Sequence, residues 1–195
     1  MMFGLIAGWV IGSQQARPPA AAPPAAAASP QAAAGAGTAR AAVLDETQVK
    51  ALQTVAERET ANATPRVQLG NLYFDAERYP DAITWYAAAL KIKPDDVNVS
   101  TDLGISYYYS NQPDKSLEQF ERSLALDAKH AKTLLNVGIV RAFGKQDLDG
   151  AARAWREVIT LSPDSPEGQA AKRALDSLQS AHPAVAPGAE RKPGA

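Results

Sequence analysis

The chain has 195 residues, with 20 basic and 21 acidic side chains, 14 prolines, 13 glycines and no cysteine. A formal net charge of −1 leaves no electrostatic footprint for nucleic acid. The absence of cysteine excludes disulfides, thiolate metal sites and a cysteine nucleophile. Charge is spread unevenly: residues 1–42 hold only Arg17 and Arg40 and no acid. Such a break divides the chain into unlike polymers.

Met1 to Gly12 is apolar throughout, and the first 16 residues are uncharged. As a helix this stretch covers roughly 24 Å, against a hydrocarbon core of about 30 Å. Gly4, Gly8 and Gly12 share one helix face, a spacing that lets membrane helices approach closely. Residues 1–15 therefore read as a membrane anchor, or as the end of a longer one. Residues 16–42 hold 15 alanines and 5 prolines, with pairs at Pro18–Pro19 and Pro23–Pro24. Proline pairs forbid a continuous helix and favour extended polyproline geometry, and alanine methyls cannot offset the entropy of ordering. This segment is expected to be a disordered linker. Residues 182–195, with Pro183, Pro187 and Pro193, are expected to be a disordered tail.

Residues 43–181 are predicted to fold. A first helix is expected over 45–60, opened by Asp45 and Gln48 as a capping box, with Val49, Leu52, Val55 and Ala56 on its apolar face. A repeat follows. Leu69-Gly70, Leu103-Gly104 and Val137-Gly138 recur at a step of 34 residues. Tyr86, Phe120 and Trp155 mark an aromatic on a second helix, the third displaced by one residue. Leu90, Leu124 and Ile159 lie one helical turn further on. A fixed period with two helical patterns per unit means a helical-hairpin solenoid. Thr64-Pro65 and Ser165-Pro166 read as N-cap hydroxyls before a first-turn proline. Ala171, Ala174, Leu175 and Leu178 form the apolar face of a terminal capping helix over 166–181.

These positions resemble the tetratricopeptide repeat. The resemblance covers residues 63–165 in three units, about 63–96, 97–130 and 131–165. In that family the glycine and a later small residue, here Ala82, Ser116 and Ala151, let the hairpin close. The large aromatic fills the gap between neighbouring hairpins. Arg66, Ser100 and Leu134 replace the family's early Trp, and Arg141 replaces the third Tyr. One extra residue is expected in the turn between Gly144 and Gly150. The implied fold is all-α: a right-handed superhelix of three hairpins with one flanking helix at each end, eight helices in all.

Nothing in the sequence points to catalysis, a cofactor or a metal. His130 falls in an inter-repeat turn and His182 in the tail, and both read as solvated. Asp95-Asp96 and Asp147/Asp149 lie in turns, where Asp is favoured, and an EF-hand's distal Glu is missing. The reading is a non-enzyme that binds a protein or peptide. By the resemblance, the concave groove is lined by Val67, Asn71, Phe74 and Asp75 from the first unit. Thr101, Asp102, Ile105, Tyr108 and Tyr109 come from the second, and Lys132, Leu135, Asn136, Ile139 and Phe143 from the third. In the run Tyr107–Tyr109, consecutive helical residues point about 100° apart, so at least one ring is exposed. Tyr108, Tyr109 and Asn71 are expected to lie together.

One subfamily clamps a terminal carboxylate. Asn71 and Lys132 match two of its positions, but Asp102 would repel that ligand. The short apolar start, the Pro/Ala spacer and three repeats, with the stretches 68–75, 133–140 and 154–167, are similar to membrane-anchored repeat domains of c-type cytochrome maturation factors. That likeness implies a periplasmic domain holding a protein segment. Arg17 after the apolar stretch favours instead the cytoplasmic face. A structural adaptor using the convex face, or an accessory subunit of a separate enzyme, is the alternative. The oligomeric state is not specified by the sequence.

Overall fold

The computed structural model describes residues 43–182. The apolar start, the linker and the tail beyond His182 lie outside the described residues. Eight helices follow one another without strands among the described residues: α1 (Glu46–Arg58), α2 (Thr64–Asp75), α3 (Tyr79–Ile92), α4 (Val97–Tyr109), α5 (Pro113–Leu126), α6 (Ala131–Ile139), α7 (Leu148–Leu161) and α8 (Pro166–Ala181). Each packs on its chain neighbours, and α6 also meets α4 and α8. The hairpins α2/α3, α4/α5 and α6/α7 stack in order, flanked by α1 and α8, as a tetratricopeptide-type superhelix. No described helix is long and apolar enough to cross a membrane.

Local chemistry sets the helix ends. Asp45 accepts hydrogen bonds from the amides of Thr47 and Gln48, and Ser165 accepts one from Gly168. Thr64 differs from expectation. It lies inside α2 and donates its amide to Asn62 Oδ1 at 3.0 Å, so the capping side chain stands two residues earlier. α1 stops at Arg58 rather than residue 60. Arg66, at the early Trp position, donates to the carbonyls of Ala56 and Asn62, both at 2.8 Å, and joins the end of α1 to the start of α2.

Each hairpin closes on its glycine. A Cβ on Gly70 would stand 2.5 Å from the Tyr86 ring; Gly104 meets Phe120, and Gly138 meets Trp155, just as closely. The aromatic therefore lies on the glycine of its own hairpin, and Tyr86 also shares a core cluster with Val99 and Leu103 of the next hairpin, as Trp155 does with Ala174 and Leu178 of α8. Ala82, Ser116 and Ala151 are fully buried beside these contacts. Burial forms three clusters, one holding Val49 and Leu69, one of Ile105, Phe120 and Val140, and one holding Val158, Ala171 and Leu178, with the half-buried Phe74 and Tyr108 bridging them in turn.

The extra residue of the third unit is not in the turn. All three turns have three residues in the same roles, a C-cap, a left-handed residue and an N-cap, namely Ala76-Glu77-Arg78, Ser110-Asn111-Gln112 and Lys145-Gln146-Asp147. The first helix of the third hairpin instead widens into a π turn over Val140–Gly144, with Lys145 N donating to Val140 O at 3.1 Å. The turn-closing bonds agree. Arg78 N reaches Tyr73 O and Gln112 N reaches Tyr107 O, whereas Asp147 N reaches Arg141 O, one residue further back. Arg141, standing for the third Tyr, forms an ion pair with Asp147 at 2.7 Å.

Candidate interaction surface

The first helices α2, α4 and α6 carry thirteen of the fourteen predicted groove residues and the π turn carries Phe143, and the structure sorts them into three groups. Thr101, Ile105, Leu135, Asn136 and Ile139 are buried. Thr101 Oγ1 bonds Val97 O and Thr133 Oγ1, and Asn136 Nδ2 donates to Lys132 O. These five are helix-packing residues and present no surface to a ligand. Val67, Phe74, Asp102, Tyr108 and Lys132 are half-buried, and Asn71, Asp75, Tyr109 and Phe143 are exposed.

Two clusters result. In the first, Asn71 of α2 and Asp102 of α4 share with Val67 a concavity of about 350 Å³. Lys132 of α6 reaches Asp102 at 2.6 Å, so three successive first helices contribute to one polar line. Tyr86 of α3 donates its hydroxyl to Asn71 Oδ1 at 2.7 Å, which leaves the amide NH₂ of Asn71 as the group it offers outward. Burial raises the carboxyl pKa of Asp102, opposed by Lys132. Burial, and then the charge of Asp102, raises that of Asp75. The Tyr86 hydroxyl is pushed up by burial and by both carboxylates. A second carboxylate near Asp102 and a cation already engaged make this a poor seat for an anion.

The second cluster is aromatic and lies at the turn edge. Tyr79 and Tyr109 stack at 5.0 Å, Phe74 meets both edge-on at 5.4 and 5.9 Å, and Tyr108 lies 5.5 Å from Tyr109. Tyr109 is 40 % exposed and Phe143 52 %. Burial, then the neighbouring tyrosines and Glu77, pushes the Tyr109 hydroxyl up to about 12. Counted back from the turn, Phe74, Tyr108 and Phe143 each stand two residues before the C-cap. The π turn therefore keeps the aromatic row in phase. Asn71 lines the first hollow, and Tyr108 and Tyr109 line the second. Sequence reading gave Tyr86 a packing role alone and missed Tyr79; both sit on second helices, and for Tyr79 the signal available was its place directly after a turn.

His130 is also placed differently. It is half-buried as the N-cap of α6, with Nδ1 2.7 Å from Thr133 Oγ1, and burial lowers its pKa. Among the described residues no group of three or more side chains is set to hold a metal.

With this geometry in hand, the likeness to known proteins is specific. A family model described as TPR repeat matches residues 70–109, and one described as Tetratricopeptide repeat matches 101–166. The chain is 26% identical over 114 residues to Hsp70-Hsp90 organizing protein 3 of Arabidopsis thaliana, covering 58% of this chain and 19% of that one. It is 29% identical over 100 residues to BBSome complex member BBS4 of Bos taurus, covering 51% and 19%. The chain thus spans about a fifth of the length of these curated relatives. Among solved structures, the Sgt2 TPR domain from Aspergillus fumigatus superposes with a TM-score of 0.57 at 26% identity, over 68% of this chain and 87% of that one. The first TPR of Spaghetti (RPAP3) bound to HSP90 peptide SRMEEVD gives 0.52 at 21%, over 71% and 95%. Family models, helix order and glycine-to-aromatic closure agree: the folded part of this chain is a tetratricopeptide-repeat domain.

Proposed function

We propose that the domain is a non-catalytic scaffold that binds an extended protein segment along α2, α4 and α6. The observation carrying this reading is the polar line of Asn71, Asp102 and Lys132, one residue from each successive first helix, beside the exposed Asp75. The relatives support the class of function, since by name one is an organizing protein and the other a complex member. The ligand chemistry differs from that of the Spaghetti complex. Its peptide SRMEEVD is acidic, whereas Lys132 here is neutralised by Asp102 and the groove adds Asp75. A neutral or basic segment is the better match. The narrower placement, an anchored envelope protein acting in c-type cytochrome maturation, rests on residues 1–15 and on the stretches 68–75, 133–140 and 154–167.

The test is capture by the full chain of extended peptides that differ only in charge. Basic or neutral peptides should be retained, and Asn71→Ala with Asp75→Asn should release them without loss of helicity. Retention of acidic peptides alone would overturn the reading. A specific observation favours the convex face as an alternative: Leu126 is 47 % exposed beside a hollow of about 410 Å³ that Leu90, Leu103 and Tyr107 also line. Capture insensitive to the groove pair but lost with Leu126→Asp would establish that adaptor role instead.

A further inference from the structure

The aromatic row at the turn edge has no use in the polar groove, yet it is built with care. Gly144 is closed in by Pro113 and Tyr108, with a Cβ there reaching 2.9 Å from the proline ring. Tyr108, Tyr109, Asn111, Pro113, Phe143 and Gly144 enclose a hollow of about 360 Å³. The π turn places Phe143 at its rim. Aromatic rims of this kind suit proline rings, because an extended polyproline segment arrives already ordered, with three residues per turn and a rise of about 3.1 Å.

The sequence carries proline pairs that could supply such rings. Arg17-Pro18-Pro19 and Pro23-Pro24 stand before the folded part, with no acid anywhere in residues 1–42. The aromatic row is bordered by acids, Asp75 following Phe74 and Glu77 close enough to Tyr79 and Tyr109 to raise their hydroxyls. The point of entry also fits. Arg66 ties the start of α2 to the end of α1, so these helices run antiparallel and α1 begins at the end where Phe74 lies. Leu44 packs against the same cluster as Phe74. Between Pro24 and Val43 stand 18 residues, enough at about 3.1 Å per residue to span up to about 56 Å, which exceeds two or three helix-packing steps of about 8–10 Å. We propose that Arg17–Pro24 of the same chain docks on the row formed by Phe74, Tyr79, Tyr108, Tyr109 and Phe143. Tethering supplies an effective concentration on the order of mM, so a weak contact is enough to populate the docked state. Docking does not depend on a partner occupying the polar groove.

The chain's lack of cysteine gives a direct test. A nitroxide on Ala26→Cys in the full-length chain should at least halve the amide signals of Tyr109, Asn111, Phe143 and Gly144, while Ala87 and Leu90 on the convex face keep theirs. Phe143→Ala, or Pro23→Ala with Pro24→Ala in the segment itself, should restore the signals. Equal attenuation everywhere, or attenuation that survives both variants, would overturn the proposal. Spin-labelled chain mixed with isotope-labelled, unspun chain should leave the signals intact. Attenuation in that mixture would assign the segment to a second copy and overturn docking within one chain.

Discussion

Phe120 lies on Gly104 across the second hairpin with no room for one added carbon, and both are buried. Helix propensity alone favours alanine over glycine by about 1 kcal/mol. Overpacking a well-filled core costs about 1–3 kcal/mol. The steric cost should win, so Gly104→Ala should lower the urea midpoint. Adding Phe120→Leu should recover part of the loss through coupling of the two sites.

Ser116 occupies the position held by Ala82 and Ala151 in the other hairpins, and its buried hydroxyl has no hydrogen-bond partner. An unsatisfied buried hydroxyl costs about 1–3 kcal/mol, and methyl replacement removes that penalty without leaving a cavity. Ser116→Ala should raise stability by about 1 kcal/mol, seen as a higher urea midpoint at unchanged slope.

Glu77, Asn111 and Gln146 hold the same left-handed turn position, with φ of 58°, 57° and 56°. A side chain there costs about 1–2 kcal/mol, less for asparagine, part of which glycine returns as lost chain entropy. Gln146→Gly should stabilise by about 0.5–1 kcal/mol and Asn111→Gly by less. Thermal melts of the two variants, compared with the parent, check the ranking.

The lowered pKa of His130 has a defined sign. A histidine depressed in the fold contributes stability above its unfolded pKa of about 6.5, and loses it as pH falls through the folded value. Asp127, Lys132, Asp102 and Glu167 face the ring, and burial outweighs the carboxylates among them. Unfolding measured from pH 7.5 to 5 should show a decline that His130→Asn reduces. Identical slopes would show that the ring titrates as it does in the unfolded chain.

Much of the fold was legible because its signals are local and periodic. Gly70, Gly104 and Gly138 with their aromatics mark the hairpins, and Ser165-Pro166 marks the start of the last helix. The groove was legible only in part. Helix spacing puts Thr101, Leu135 and Ile139 on the inner side of the first helices, but how deeply neighbouring hairpins bury that side depends on packing that no single helix encodes. Asn71 and Tyr109 stand on faces left open, yet they belong to different clusters because the superhelix separates the mid-helix line from the turn edge. Tyr79 lies on a second helix, where a reading confined to first helices does not look.

The π turn at Val140–Gly144 also bears on protein engineering. Consensus substitutions are transferred between repeats by counting along a 34-residue lattice. On that lattice Trp155 would be assigned to a neighbour's role, and every graft downstream of Ala142 would land one residue early. The helix has absorbed an insertion as a dislocation, with the ordered array resuming on both sides of it. Removing Gly144 to restore the ideal period would therefore damage the phase it was meant to correct, by drawing Phe143 off the rim that it shares with Tyr108.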